Sequence, residues 1–237
     1  MTATRNSWIV VAALHREIVP LKKRFHGRLR FLETGMGGKN SQQALRALIK
    51  RESVGGVLGI GLAGALSESL NWGDLVVARE AVQTSRLTSP VSLVEAAGKV
   101  NAPDLNLRFG TVISRNEMVC TAAGKQKLAA DLPADTLGCV DMESWSIAEV
   151  CTELNIPFVL VRCISDRFHE NLPLDFNLYR REDGNLNELK ITLSALSRLN
   201  AIGGLWQLWR HTRFCMRQLA DFIDQFLIQC PTPLHEK

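Results

Sequence analysis

Residues 157–166 read Pro-Phe-Val-Leu-Val-Arg-Cys-Ile-Ser-Asp, an apolar run with a single charged side chain inside it. A continuous run of this kind predicts a strand that is buried on both faces of a sheet. Five shorter apolar runs precede it and predict further strands, at residues 8–14, 31–34, 54–60, 74–78 and 111–114.

Helical patterns alternate with these runs. The charged stretch from Glu17 to about Arg24 follows the first predicted strand, and Ser41–Lys50 follows the second. A third helix shows a stripe at 3.6-residue spacing, formed by Ile147, Val150, Cys151 and Leu154. Strands that alternate with helices predict an α/β fold, here a single domain with a central sheet flanked by helices.

The tail of the chain has a different pattern. We expect residues 1–170 to form the α/β core and residues 171–237 to form a helical extension packed on it. An apolar stripe runs along the predicted tail helices through Leu205, Leu208, Trp209, Met216, Leu219, Ile223 and Phe226. No acidic residue lies between Glu188 and Asp221, whereas five basic residues do: Lys190, Arg198, Arg210, Arg213 and Arg217. This pattern favours packed helices with a solvated basic face. A peripheral contact with anionic lipid is the alternative, because tryptophan and arginine on an amphipathic helix suit a membrane interface.

Composition narrows the class of protein. Of the 237 residues 46% are hydrophobic, and 28 basic against 24 acidic side chains give a net charge of +4. These values exclude a disordered chain and do not indicate a nucleic-acid-binding protein. The longest uncharged stretch, residues 53–67, is shorter than the roughly 20 residues of a membrane-spanning helix.

The cysteines and histidines are scattered without a metal-binding spacing, so we expect no metal and no disulfide framework. The apolar run at residues 8–14 leads directly into His15-Arg16-Glu17 without a small-residue cleavage site. We therefore interpret that run as a strand rather than a signal peptide. Reduced thiols and the lack of a leader predict a cytoplasmic protein.

Gly59-Ile-Gly-Leu-Ala-Gly64 matches the G-x-G-x-x-G pattern of dinucleotide-binding sites. Such a site requires a helix that opens at the third glycine and an acidic residue about 20 residues further on. Here only residues 65–70 can be helical before Gly73-Asp74 opens another strand. We expect these glycines to let the backbone approach a ligand at the end of a strand. A nicotinamide-dependent oxidoreductase is an alternative that rests on this pattern alone.

Three acidic residues stand where predicted strands end or helices begin: Glu17, Glu143 and Asp166. Each taken alone has an ordinary explanation as a helix cap or first-turn carboxylate. Glu143, however, lies four residues before Ile147 and therefore faces inward on the predicted helix. Arg162 lies inside an apolar strand, where a buried guanidinium needs a carboxylate or a ligand as partner. At the carboxyl edge of an α/β sheet, where ligands bind, these residues form a candidate site.

Two segments resemble the signature of the purine nucleoside phosphorylase superfamily, especially its methylthioadenosine/S-adenosylhomocysteine nucleosidase branch. They are Val140-Asp-Met-Glu-Ser-Trp-Ser-Ile-Ala-Glu-Val-Cys151 and Ile156-Pro-Phe-Val-Leu-Val-Arg-Cys-Ile-Ser-Asp166. Four further segments are similar to that branch: Ala13–Ile18, Thr34–Gly37, Gly61–Ala65 and Gly73–Val77. The resemblance covers about residues 8–168 and implies a mixed, twisted sheet of the nucleoside phosphorylase type.

The resemblance also implies roles for individual residues. Asp166 would protonate or hydrogen-bond N7 of the departing purine, Glu17 would activate the attacking water, and Arg162 would lie near this nucleophile. Glu143 and the Met142 backbone would hold the ribose hydroxyls. Met118 matches a position that stacks on the purine, and the remaining substrate-binding positions are Val119, Ala63, Gly64 and Ser165. These roles agree with the chemistry, since cleavage leaves positive charge on the sugar and negative charge on the base.

Three positions depart from the family pattern. Leu62 stands where related phosphorylases have a serine that binds phosphate, which weakens the expectation of phosphorolysis. Asp141 replaces a glutamate, and Met118 replaces an aromatic residue with a looser but polarizable side chain. The tail, with Leu172-Pro173 and Asp183-Gly184, resembles hopanoid-associated phosphorylases, which remove adenine from adenosylhopane.

We therefore expect an enzyme that releases adenine from a 5′-substituted adenosine, by hydrolysis or by phosphorolysis. It would need no cofactor and no metal, with phosphate open as a co-substrate. One alternative is a hopanoid-associated phosphorylase that acts at a membrane surface, and another is a non-catalytic nucleoside- or lipid-binding module. The resemblance implies a homodimer or higher homo-oligomer, and we expect no nucleic acid as partner.

Overall fold

A computed structural model describes residues 7–179, 181, 187, 190–191 and 199–233 of the chain. Its strands are β1 (Trp8–Ala12), β2 (Arg30–Glu33), β3 (Gly56–Ala65), β4 (Leu75–Val82), β5 (Arg86–Thr88), β6 (Leu107–Ser114), β7 (Gly138–Asp141) and β8 (Phe158–Asp166). Its helices are α1 (His15–Arg24), α2 (Gly38–Ile49), α3 (Val91–Gly98), α4 (Ala122–Ala129), α5 (Ser144–Glu153) and α6 (Leu199–Gln229), with a 3₁₀ turn at Phe176–Tyr179.

Among the described residues, eight strands form one mixed sheet in which β3 and β8 are central. β1 pairs in parallel with β2 and β3, and β3 pairs in parallel with β8. β7 joins β3 antiparallel and β6 parallel, while β4 joins β6 parallel and β8 antiparallel. Strands β3, β7, β6, β4 and β8 therefore close into a ring, and the predicted α/β fold with a central mixed sheet is confirmed.

Alternate side chains of β8 enter two different apolar layers. Val159, Val161 and Cys163 pack with side chains of α1, α3 and α6. Leu160 and Ile164 pack with side chains of α2 and α5 on the other face. Because successive residues of a strand point to opposite faces, a strand covered on both sides is apolar throughout its length. This explains the uninterrupted run that predicts β8.

All six predicted strands and all three predicted core helices are present, with ends shifted by a few residues. Four elements were not predicted: β5, β7, α3 and α4. They are three, four, eight and eight residues long. Elements of this length are too short to show a clear period. They are defined by pairing and packing with the rest of the molecule.

The glycine pattern at residues 59–64 lies inside β3, which runs on to Ala65. A Cβ placed at Gly59 would lie 2.6 Å from Leu160 Cδ2, so the glycine permits close packing of the strand against its neighbour. No helix follows β3 over residues 66–74. The context of a dinucleotide site is therefore missing, as the sequence indicates.

Helix α6 has two halves that differ in burial. Phe222 and Phe226 in its second half are fully buried, and the Trp8 ring meets Phe226 edge-on at 5.3 Å. Trp206 and Trp209 in its first half are 59% and 53% exposed. Among the described helices, none combines the length and the apolar character that crossing a bilayer requires.

Part of the predicted tail cannot be compared with the structure. Arg198 and the Asp183-Gly184 pair lie outside the described residues. The division of the chain at residue 170 stays a prediction.

Candidate active site

A cavity lies where β3 and β8, which run in parallel, reach their carboxyl ends, with residues that follow β1 and β7 completing it. Nine of the ten predicted site residues line it: Glu17, Ala63, Gly64, Met118, Val119, Met142, Glu143, Ser165 and Asp166. The tenth, Arg162, is only 1% exposed and does not line the cavity. The three acidic residues that the sequence singles out therefore share one cavity.

Glu17 is positioned by the start of α1. Its Oε2 accepts a hydrogen bond from the backbone N–H of Leu14, the N-cap residue, at 2.9 Å. Burial raises the pKa of the Glu17 carboxyl, against the opposing effects of the Leu14 N–H and of the positive charges on Arg16 and Arg162. A Cβ placed at Gly61 would lie 3.7 Å from Glu17 Oε1 and 3.5 Å from Arg162 Nη1, so both groups lie against this glycine. A buried carboxyl with a raised pKa suits a general base.

The buried guanidinium of Arg162 has the carboxylate partner that its place in β8 requires. Its Nε donates to Asp141 Oδ2 at 2.6 Å, and both side chains are 1% exposed. Asp141 also accepts hydrogen bonds from the Ser114 hydroxyl at 2.6 Å and from the Ser144 N–H at 3.0 Å. By its sequence position Asp141 is a candidate for the N-cap of α5, but the N-cap is Glu143; Asp141 lies two residues earlier, accepts from the first N–H of the helix and balances the charge of Arg162. The place of Arg162 near the nucleophile stays a prediction.

Glu143 is held by a glycine turn. It immediately precedes α5, so the prediction that it lies on the helix face is wrong by one residue, although its side chain does point inward to the cavity. Its Oε1 accepts a hydrogen bond from the Gly37 N–H at 2.6 Å. Gly37 has a φ of 93°, which favours glycine, and a Cβ at Gly38 would lie 2.3 Å from Ser146 Oγ. Burial, and next the negative charge of Asp141, raise the pKa of Glu143 to about 7.

Asp166, the last residue of β8, is held through both carboxylate oxygens. The Ser165 hydroxyl donates to Oδ1 at 2.7 Å, and the Lys125 ammonium donates to Oδ2 at 2.6 Å. The same ammonium donates to the Arg167 carbonyl at 2.5 Å, and Lys125 is completely buried. The sequence analysis missed Lys125 because it lies in the short helix α4. A usable signal is its spacing, since Lys125 lies three residues before Leu128, which packs inward.

The outer wall of the cavity is apolar. Met118 is fixed by Asn177, whose Oδ1 accepts from the Met118 N–H at 2.8 Å and whose Nδ2 donates to the Met118 carbonyl at 2.9 Å. Met118 packs against a cluster that contains Phe176, Leu172 and Leu208, and these three side chains also line the cavity. Sequence reasoning did not assign the tail residues to the site, because an apolar stripe looks the same whether it covers a core or a ligand.

The described part of the chain contains no group of three histidine, cysteine, aspartate or glutamate side chains that could hold a metal ion. The six cysteines, all within the described residues, form no disulfide bond with one another. The polar side chains that line the cavity are the carboxyl groups of four residues, the Arg16 guanidinium and two hydroxyl groups: Glu17, Asp141, Glu143 and Asp166, with Ser165 and Thr212.

Comparison with known proteins identifies the family of the chain. The sequence matches the model of a family described as the phosphorylase superfamily over residues 22–196, more than half of the chain. A 5′-methylthioadenosine/S-adenosylhomocysteine nucleosidase of Shewanella baltica is 27% identical over 187 residues, which cover 70% of this chain and 78% of the relative.

Two solved structures share the fold. The 5′-methylthioadenosine/S-adenosylhomocysteine nucleosidase of Neisseria meningitidis, in complex with methylthio-immucillin-A, has a TM-score of 0.71 at 18% identity and covers 93% of this chain and 98% of its own. Futalosine hydrolase of Helicobacter pylori has a TM-score of 0.67 at 20% identity and covers 92% of this chain and 97% of its own.

Proposed function

The chain belongs to the phosphorylase superfamily, and from this membership we propose that it cleaves the N-ribosidic bond of a 5′-substituted adenosine and releases adenine. The observation that carries the proposal is the presence of Glu17, Glu143 and Asp166 around one cavity. The Shewanella relative supports the proposal through its name, a nucleosidase acting on methylthioadenosine and S-adenosylhomocysteine.

In the proposed reaction the bond between C1′ of the ribose and N9 of the purine breaks, and its electron pair moves onto the purine. Asp166 gives a proton to N7, and a positioned general acid of this kind contributes on the order of 10²–10⁴ in rate. Glu17 accepts a proton from the attacking water as the water oxygen bonds to C1′. Glu143 and the Met142 backbone bind the ribose hydroxyls, and the Glu143 carboxylate stabilises positive charge on the ring.

The charges around the cavity favour water over phosphate as the nucleophile. Glu17, Asp141 and Glu143 bring three carboxyl groups to the cavity, against the guanidinium of Arg16, which also lines it, and that of Arg162, which is paired with Asp141 at 2.6 Å. Ionised carboxyl groups that line the cavity would repel a phosphate dianion bound in it. Leu62, which also lines the cavity, offers phosphate no hydroxyl.

A second candidate substrate is an adenosine with a large apolar 5′ group, such as adenosylhopane, taken up at a membrane surface. Helix α6 favours it, because Leu208 lines the cavity while Trp206 and Trp209 on the same helix are exposed. Arg210 stacks on Trp206 at 4.8 Å, and Arg213 stacks on Trp209 at 4.7 Å. Tryptophan and arginine together suit an interface with anionic lipid.

The family resemblance supports two further proposals, a homodimer or higher oligomer and a cytoplasmic location. The alternative to an enzyme is a non-catalytic module that binds a nucleoside or a lipid without cleaving it. A paired acid such as Asp166, with its own buried cation, favours catalysis over this alternative, because binding a purine does not require a proton donor at N7.

Adenine release from 5′-methylthioadenosine and from adenosylhopane, each with and without phosphate, tests the proposal. We expect release in the absence of phosphate, with a free sugar as the second product. Release that requires phosphate would overturn the assignment of water as the nucleophile. No release in any of the four reactions would overturn the enzymatic proposal.

The variant Asp166→Asn distinguishes an enzyme from a binding module. It should lower turnover on the order of 10²–10⁴-fold while leaving adenine affinity nearly unchanged. Asp131→Asn, a change of an exposed aspartate, is the matched control and should turn over like the wild type.

A further inference from the structure

Lys125 is a buried cation in direct contact with the proposed general acid, and it was not among the predicted site residues. Its side chain is 0% exposed, and its Nζ lies 2.6 Å from Asp166 Oδ2. Lysine is almost never fully buried unless it is paired. The carboxylate it pairs with is the group that would give its proton to the purine.

Stability does not account for this pair. Removing two opposite charges from water is costly, and replacing a buried ion pair by apolar residues is often neutral or stabilising. Helix α4, which carries Lys125, is held without it. The Thr121 hydroxyl caps the helix by accepting from the Gly124 N–H at 3.1 Å, and the Ala122 N–H donates to Asn171 Oδ1 at 2.7 Å.

The pair raises a question about the proton. Asp166 accepts hydrogen bonds at both oxygens, from Ser165 at 2.7 Å and from Lys125 at 2.6 Å. Neither bond shows where a proton given to N7 would come from. The ammonium of Lys125 is an N–H donor in hydrogen-bonding contact with Asp166 Oδ2, so a proton that Asp166 gives to N7 can be replaced along this bond.

We propose that the proton donor to the purine is the Lys125–Asp166 pair, in which Lys125 positions the Asp166 carboxylate and supplies the proton that Asp166 passes to N7. As the C1′–N9 bond breaks, one N–H bond of the ammonium breaks and an O–H bond forms on Asp166. That bond then breaks as the N–H bond at N7 forms. The step leaves a neutral lysine, an aspartate carboxylate and neutral adenine. Water restores the ammonium, with the proton that Glu17 took from the nucleophile returned to solvent.

This inference rests on the proposed function, and two variants test it. Lys125→Arg keeps a cation in place, but a guanidinium does not release its proton. Lys125→Met removes both the charge and the proton. We expect kcat to fall on the order of 10²–10⁴-fold in both variants, as for loss of a general acid. Lys127→Met, a change of an exposed lysine on the same helix, is the matched control and should leave kcat unchanged.

The pH profile separates the proposed role from a merely structural one. In Lys125→Met the proton that Asp166 gives to N7 must come from solvent, so the ratio of the variant's kcat to the wild-type kcat should increase as the pH is lowered. Glu17 and Glu143 titrate in both proteins, and the ratio therefore removes their contribution. A structural defect would reduce kcat equally at every pH and would weaken adenine binding as well. If Lys125→Met does not fold, Lys125→Arg carries the test.

The outcomes distinguish this inference from the proposed function. If the wild-type protein releases adenine and Lys125→Arg has a kcat within threefold of the wild-type value, the role of Lys125 is overturned. The proposed function then stays intact. A wild-type protein that releases no adenine from any substrate would overturn both.

Discussion

The two ends of the cavity differ in charge. One end carries the three carboxyl groups of Glu17, Asp141 and Glu143, with two guanidinium groups beside them, that of Arg16 in the lining and that of Arg162 behind it. The other carries one carboxylate and one ammonium, those of Asp166 and Lys125. We call them the acidic end and the balanced end.

This difference matches the charges that the proposed reaction creates. Positive charge develops on the ribose, which the acidic end would stabilise, and negative charge develops on the purine, which an end with a cation tolerates better. Groups fixed in advance by hydrogen bonds, as these are, act without reorganising during the reaction. The contrast between the two ends therefore predicts how variants at each of them should behave.

The largest effect is expected from removing the base at the acidic end. Glu17→Gln keeps an oxygen that can accept from the Leu14 N–H, but it does not take a proton from water. We expect kcat to fall on the order of 10²–10⁴-fold, measured by steady-state adenine release. Glu33→Gln, at an exposed glutamate that ends β2, is the control and should leave kcat unchanged. A Glu17→Gln enzyme within threefold of the wild-type kcat would remove Glu17 from the chemistry.

Breaking the ion pair beneath the acidic end should affect stability most. Arg162→Met leaves the Asp141 carboxylate buried without a cation, and losing one partner of a buried pair costs about 3–5 kcal/mol. Urea unfolding measures this loss. The double variant with Asp141→Asn should recover part of it, because no buried charge is then left unpaired. Equal losses in the single and the double variant would show that the pair does not explain the effect.

The sequence predicts the acidic end better than the balanced end. Glu17 and Glu143, like Asp166 at the balanced end, stand at strand ends and helix starts, and the α/β topology brings such positions to one edge of the sheet. The balanced end is predicted in part, because Asp166 is found without its partner Lys125. Arg162 in an apolar strand signals the need for a buried partner, which is Asp141. These arguments need only local pattern and topology.

Lys125 and the apolar wall escape the same reasoning for physical reasons. Helix α4 has eight residues, and its position depends on tertiary contacts rather than on periodicity. Leu208 lies on a helix whose apolar stripe covers the core in one half and the cavity in the other. The stripe predicts burial of these side chains and carries no information on what buries them.

Glu143, at the acidic end, should titrate near neutral pH. Burial, with the charge of Asp141, raises the pKa of Glu143 to about 7, and burial raises the pKa of Glu17 as well. Both groups act as carboxylates, one as acceptor for ribose hydroxyls and the other as base. We therefore expect kcat/KM to increase with pH through about 7. In Glu143→Gln the part of this increase that comes from ionisation of Glu143 should be absent. A profile that is flat from pH 5 to 9 would contradict the assignment.

The proton on Glu143 also makes stability depend on pH. The pKa of Glu143 is about 7 in the folded protein against an ordinary value of 4.5, so between these values the folded state holds a proton that the unfolded chain has released. The stabilising contribution is therefore complete below pH 4.5 and is lost as the pH rises through about 7. The free energy of unfolding should fall on the order of 1 kcal/mol per pH unit in this window. Urea unfolding at several pH values should show a smaller slope for Glu143→Gln, and an unchanged slope would contradict the prediction.

The smallest effect is expected at the apolar wall, away from both charged ends. Leu208→Ala removes three carbon atoms from a partly buried side chain, and each fully buried CH₂ group contributes about 0.8 kcal/mol. We expect KM for 5′-methylthioadenosine to increase about fivefold with kcat unchanged, which is the effect of losing about 1 kcal/mol of uniform binding. Trp206→Ala, on the exposed side of the same helix, is the control for the intact wall.

The same increase in KM of Leu208→Ala for adenosine itself would show that Leu208 does not contact the 5′ group. If kcat of Leu208→Ala fell as much as that of Glu17→Gln, the apolar wall would take part in the chemistry. The catalytic groups would then not be confined to the acidic and the balanced end.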